Sequence, residues 1–245
     1  MIVNKSSKGL HVIYQASHGL LAGKIAEQVM IKYRPVLWLE TLVAVVEHDD
    51  QQLGYDEKNY LSKLGMPLDF SEDSVSVSKV LKRAKRVFHH AKGKSLWTAL
   101  LVSFHLDFLY DSLRGKSIKA KRFLDAQKIF RKETISYFGI NESEAASHYQ
   151  LLRFCDRCSL ILCKDEIPDA ERKIEINTSL DGITYFIYRK KNKNLSITPW
   201  CFEPTAFEIS IEETILEQTK FKSQKQLRDV LEATQRNKVT WNFEK

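Results

Sequence analysis

The chain has 245 residues, 43% hydrophobic and 28% charged, with only 9 Gly and 5 Pro; this excludes a disordered or collagen-like chain and leaves room for one large domain or a domain with a small appendage. Its net charge of +7 suits a phosphate-bearing partner, whether nucleotide, nucleic acid or lipid. Much of the excess, however, lies in Lys79 to Lys94 and Lys116 to Lys132, where a solvated basic helix face is the simpler reading. Four cysteines make no disulfide scaffold, and the absence of a long apolar run or signal-peptide core points to a cytoplasmic protein without a membrane span.

The first residues, MIVN and LHVIYQ around the polar KSSKG, predict a β-hairpin. Leu21, Ile25 and Val29, with Leu20 and Met30 beside them, then recur at helical spacing, with Ser17 as the expected N-cap. After Arg34-Pro35, VLWLETLVAVVEH reads as a helix apolar on almost every side and therefore central to the core, with Pro35 in its first turn. It runs into HDDQQLGYDE, and the Gly- and Asp-containing residues 50–75 read as a loop covering something.

A basic helix is expected from about Ser78 to His90, then the apolar SLWTALLVSFHLDFLYDSL, then an amphipathic helix from Lys119 to Phe138 ended by Gly139. ESEAASHYQLLRFCDRCSLILC is the last long helix, capped by Asn141 or Ser143. Beyond Pro168 the texture becomes β-rich, in GITYFIYRKK, NLSITPW, AFEISIEET and KVTWNF, with one short helix in SQKQLRDVLEAT. The expected architecture is mainly α: a helical domain over residues 1–168, and a small α+β segment over 169–245 packed on it and placed to pair with the N-terminal hairpin.

Ionisable residues interrupt the apolar helices at His48-Asp49, at His105 and at Asp156. Such groups are costly to bury unless paired or bound to a metal. Their recurrence on separate helices predicts convergence, and imidazole with carboxylate is the donor set of a divalent cation such as Mn, Fe, Mg or Zn. Cys155 and Cys158 have C-x-x-C spacing but no second pair, and read as small buried hydrophobes. His89, His90 and His148 are weaker candidates. The chain has no glycine-rich phosphate loop, G-x-S-x-G elbow or dinucleotide fingerprint.

The order His18, His48-Asp49, Asp156 resembles the HD-domain superfamily of metal-dependent phosphohydrolases. That resemblance implies a helical bundle and a metal held by these four residues. A closer resemblance is to a bacterial family catalogued as domain of unknown function 3891. It is carried by QASHGLLAGKIAEQV, AVVEHDD, LLVSFH, LRFCDRCSL, ITPWCF and FKSQKQLRDVLEA. Where that family usually has Gly-Trp after the acidic pair, Gln51-Gln52 stands here.

The first functional expectation is therefore a metal-dependent phosphohydrolase acting on a phosphate ester or nucleotide. His105 and Asp50 would assist catalysis, and Arg153, Lys82 and Arg86 would neutralise phosphate. The alternatives are a non-catalytic nucleotide- or nucleic-acid-binding module on the same scaffold, and an oxygenase with a paired iron site.

Overall fold

The computed structural model describes residues 1–72 and 75–245. The N-terminal hairpin forms as expected: β1 (Ile2–Ser6) and β2 (Gly9–Ile13) pair antiparallel, Ser6 opposite Gly9. Then come α1 (Gln15–Gln28), α2 (Trp38–Glu47), α3 (Val77–Lys94), α4 (Leu96–Tyr110), α5 (Ile118–Phe138) and α6 (Glu142–Cys163). Strands β3 (Ile174–Thr178), β4 (Thr184–Arg189), β5 (Leu195–Thr198) and β6 (Ala206–Leu216) follow, then α7 (Gln224–Ala233) and β7 (Arg236–Glu244).

The mainly-α expectation and the HD-type helical bundle are overturned. The strands form one seven-stranded mixed sheet in the order β1-β2-β6-β7-β5-β4-β3, curled into a half-barrel beside the helices. The β-rich tail pairs with the N-terminal hairpin, as expected. β6 runs through eleven residues and pairs with β7 along most of its length, while its far end, Thr214 to Leu216, pairs with β2. The hairpin at one end of the chain is thereby built into the sheet made by the other end. Pairings across such sequence separation leave no local periodicity to read.

Two local readings also change. α1 begins at Gln15 with Tyr14 at the cap position, ahead of Ser17. α2 starts at Trp38, beyond Pro35, and is buried on one side only: Thr41, Ala44 and Val45 face the core while Leu39 is 71% exposed. The later caps follow the expected chemistry. Ser95, Ser117 and Asn141 accept N–H bonds at the starts of α4, α5 and α6, and Gly139 ends α5 in a left-handed conformation that suits glycine.

The residue 168 boundary falls in the loop between α6 and β3, and the main hydrophobic core runs across it. Phe154 of α6 packs edge-on against Tyr185 of β4 and tilted against Phe202, with ring centroids 5.2 and 6.3 Å away. A smaller cluster joins Leu10 and Val12 of the hairpin to Tyr60, Leu61, Leu227 and Leu231, seating the 50–61 loop and α7 on the far side of the sheet. Among the described residues no helix is long and apolar enough to cross a membrane.

Candidate metal centre

α1, α2, α4 and α6 pack against one another with their polar intruders turned inward. His18 lies in the first turn of α1, His48 caps the C-terminus of α2, His105 lies on α4 and Asp156 on α6. The three histidines are almost completely buried, and Asp156 is 15% exposed. One ligand atom each from His18, His48 and Asp156 lie within 4.8 Å of one another, an arrangement that could hold a metal ion. The rings of His18 and His48 meet edge to face at 5.0 Å, and those of His48 and His105 at 4.8 Å.

The hydrogen bonds fix which nitrogens carry lone pairs. The Val45 carbonyl can only accept, so His48 Nδ1 donates to it at 2.6 Å. Ser159 Oγ donates to the Asp156 carbonyl at 2.8 Å, and therefore accepts from His18 Nδ1, also at 2.8 Å. Both Nδ1 atoms are spent on outer partners. The two Nε2 atoms face the Asp156 carboxylate, with Oδ1 at 3.2 Å from His48 and 3.7 Å from His18. Neutral imidazoles in these tautomers would point lone pairs at a carboxylate, and a cation or an added proton relieves the clash.

The electrostatics express the same conflict. Burial, with His48 nearby, drives His18 down to about 4. His105 falls to about 3 for the same reasons. Burial also disfavours charge on His48, but the Asp156 carboxylate outweighs it and the His48 pKa is raised. Asp156 moves the other way: burial opposes its ionisation, yet His48 beside it holds it well below the usual carboxylate range. His48 is thus the imidazole whose charged form Asp156 favours most, while His18 and His105 stay neutral near pH 7.

Asp49, the fourth expected ligand, stands at the edge of this group. Its Oδ2 is 3.9 Å from His18 Nε2 and accepts from Gln15 Nε2 at 2.5 Å, while Oδ1 and the carbonyl accept from Arg83 NH2. Burial would raise its pKa, but Arg83 against it holds the carboxyl at about 2.

The cluster opens into a cavity of about 310 Å³ whose floor is His18, His48, Asp49, His105 and Asp156. Its walls include Leu53, Phe70 and Val75, so described residues of the segment read as a covering loop do line the site. Cations reach it as Lys58, Lys79 and Arg83.

Other expected residues stand elsewhere. Lys82 and Arg86 bind Glu57, and Arg86 also donates to the carbonyls of Gln51 and Gln52, which ties the loop to α3. Arg153 lies over the Phe108 ring and donates to Gln150. Asp50 is half-buried beside Glu47 and is not in the cavity lining; burial and Glu47 raise its pKa. His89 and His90 are exposed, and His148 packs against Trp97 at 5.2 Å. Cys155 and Cys158 are buried in the core, which pushes both thiols up.

Sequence reading missed Gln15, Arg83 and Ser159. The helical period holds a signal for Arg83, four positions after Lys79 on the same face of α3.

A family model described as "Protein of unknown function (DUF3891)" matches residues 1–218. The chain belongs to that family. No curated protein and no solved structure matches it.

Proposed function

We propose that the protein is a divalent-metal-dependent hydrolase of a phosphorylated small molecule, with His18, His48 and Asp156 as ligands and Asp49 as the fourth. The observation that carries this reading is the meeting of two imidazole lone pairs and a carboxylate at the floor of a cation-lined cavity, with both Nδ1 protons held by outer partners. That donor set, two borderline nitrogens and one or two hard oxygens, fits Mn, Fe or Zn better than Mg. A divalent ion there supplies Lewis acidity, making water a better nucleophile near neutral pH and polarising a phosphoryl oxygen.

The chain's own residues do the rest. Val45 and Ser159 orient the two imidazoles, as outer partners of metal-binding histidines do. His105, neutral and lining the cavity with its Nδ1 3.4 Å from the Tyr149 hydroxyl, would be a hydrogen-bonding group for water or substrate. The covering loop excludes bulk water and strengthens each electrostatic contact inside.

The test is elemental analysis of the purified protein, followed by a phosphomonoester and nucleotide panel with the metal found. About one equivalent of a transition metal per chain, lost in His48→Ala together with activity, is expected. A protein without stoichiometric metal, whose behaviour His48→Ala does not alter, overturns the proposal.

A further inference from the structure

Arg83 is the only arginine among the described residues that line the cavity. Its neighbours on α3, Lys82 and Arg86, are engaged by Glu57 and the loop carbonyls. Arg83 instead turns its NH2 group to both the carbonyl and the carboxylate of Asp49, and its NH1 lies 3.5 Å from the Tyr110 hydroxyl. Its Nε is buried with no partner among the described residues. Across the same carboxylate, Gln15 donates from Nε2 to the other oxygen, and its Oε1 is also buried with no partner among the described residues. The amide orientation is fixed, because a flip would set Oε1 against Asp49 Oδ2.

Two residues therefore clamp one carboxylate at the cavity floor, and each keeps one orphaned polar atom, a donor on Arg83 and an acceptor on Gln15. Buried orphans are uncommon and call for an explanation. A phosphate monoester in its monoanionic form carries both kinds of complement, P–O⁻ for the guanidinium and P–OH for the amide oxygen. Guanidinium is the side chain whose geometry suits such an oxyanion.

We infer that Arg83 and Gln15 form an oxyanion subsite for a phosphate monoester, with the Asp49 carboxylate as its internal, exchangeable occupant. As a substrate site this rests on the hydrolase reading above; as an anion site it stands on the clamp itself. Asp49 Oδ2 lies 3.9 Å from His18 Nε2, so a short movement takes the carboxylate from the clamp to the His18, His48 and Asp156 group. A cation held by that group and an oxyanion held by Arg83 then favour each other, since each draws on a different position of Asp49, and the coupling is reciprocal.

The test uses the full chain and inorganic phosphate, measured by titration calorimetry in excess chelator. Asp49→Asn removes the competing charge and is expected to bind phosphate about tenfold or more tighter than the unaltered protein, a typical size for such coupling. Adding Arg83→Gln to Asp49→Asn abolishes the gain, and Arg83→Lys restores part of it. Equal phosphate affinity in Asp49→Asn and the unaltered chain, or a gain that survives Arg83→Gln, overturns the inference.

A second measurement guards against damage to the fold. Arg83→Gln alone frees Asp49 and is expected to tighten Mn²⁺ binding several-fold, on the same scale of coupling. A merely structural role for Arg83 would loosen Mn²⁺ binding, and that result also overturns the inference. The phosphate measurement contains no metal, so a protein that binds no metal defeats the hydrolase reading while leaving the oxyanion subsite standing.

Discussion

A methyl group on Gly19 would stand 2.2 Å from the backbone carbonyl oxygen of Val46. α1 therefore crosses α2 at a separation that only glycine allows, one residue after His18 and two residues before His48. The close approach is what brings the two imidazoles edge to face at 5.0 Å. Alanine is the better helix former by about 1 kcal/mol, but here it forces the helices apart.

Gly19→Ala is expected to destabilise the protein by roughly 1–3 kcal/mol through overpacking, and to weaken metal binding as well. The neighbouring control is Gly23→Ala, whose new methyl group meets only the Val46 side-chain tip at 2.5 Å. That contact is with a side chain and not with backbone, so its effect should be smaller. Denaturant titration together with Mn²⁺ titration compares the two. Equal losses in both variants would remove the special status of Gly19.

Ser159 links two of the candidate ligands, accepting from His18 Nδ1 while donating to the Asp156 backbone. Ser159→Ala keeps the volume nearly unchanged but frees His18 to turn or change tautomer. Metal affinity should fall by ~10–100-fold, the usual scale for losing an outer partner of a metal-bound histidine. The far-ultraviolet circular dichroism spectrum should not change. Undiminished affinity would show that Ser159 does not orient His18.

Acid stability of the chelator-treated protein should reflect the buried histidines. His18 and His105 are held at about 4 and about 3 in the fold, against 6.5 in the unfolded chain. The unfolded chain therefore binds more protons below pH 6.5, so stability present above that pH is lost as pH falls toward 4. Each histidine adds a slope of up to ~1.4 kcal/mol per pH unit in that window. His48, whose pKa is raised, acts oppositely: its contribution is present below 6.5 and is lost as pH rises through its folded value. Urea denaturation between pH 4.5 and 7.5 should show stability rising with pH, with a shallower slope in His105→Asn. An unchanged slope in that variant would mean that His105 does not stay neutral.

Glu57 accepts from Lys82 at 2.5 Å, from Arg86 at 2.9 Å and from the Gly54 N–H at 3.0 Å. These bonds, led by that from Lys82, depress its pKa to about 2 from 4.5. The clamp is complete above 4.5 and is released as pH falls toward 2. Glu57→Gln weakens it at neutral pH, so hydrogen exchange in residues 50–58 should quicken while metal content stays the same. Exchange no faster than in the unaltered chain would show that Glu57 does not hold the loop.

The sequence by itself determined the long helices, the hairpin and the identity of the central polar residues. His48, His105 and Asp156 each stand out because an ionisable group inside an apolar helix carries a desolvation cost that something must offset. That signal is local and survives in one dimension. Tertiary structure alone decided the rest. The sequence places the β-rich tail to pair with the hairpin, and β6 does meet β2; the order of the seven strands and their register rest on hydrogen bonding across distances that leave no trace in periodicity. Charge marked Lys82, Arg86 and Arg153 as phosphate ligands, yet successive helical residues point about 100° apart. It is Arg83 that faces the cavity, while its neighbours hold the loop. Gly19, silent in composition, sets the helix separation because a backbone carbonyl from another helix occupies the space that a side chain would need.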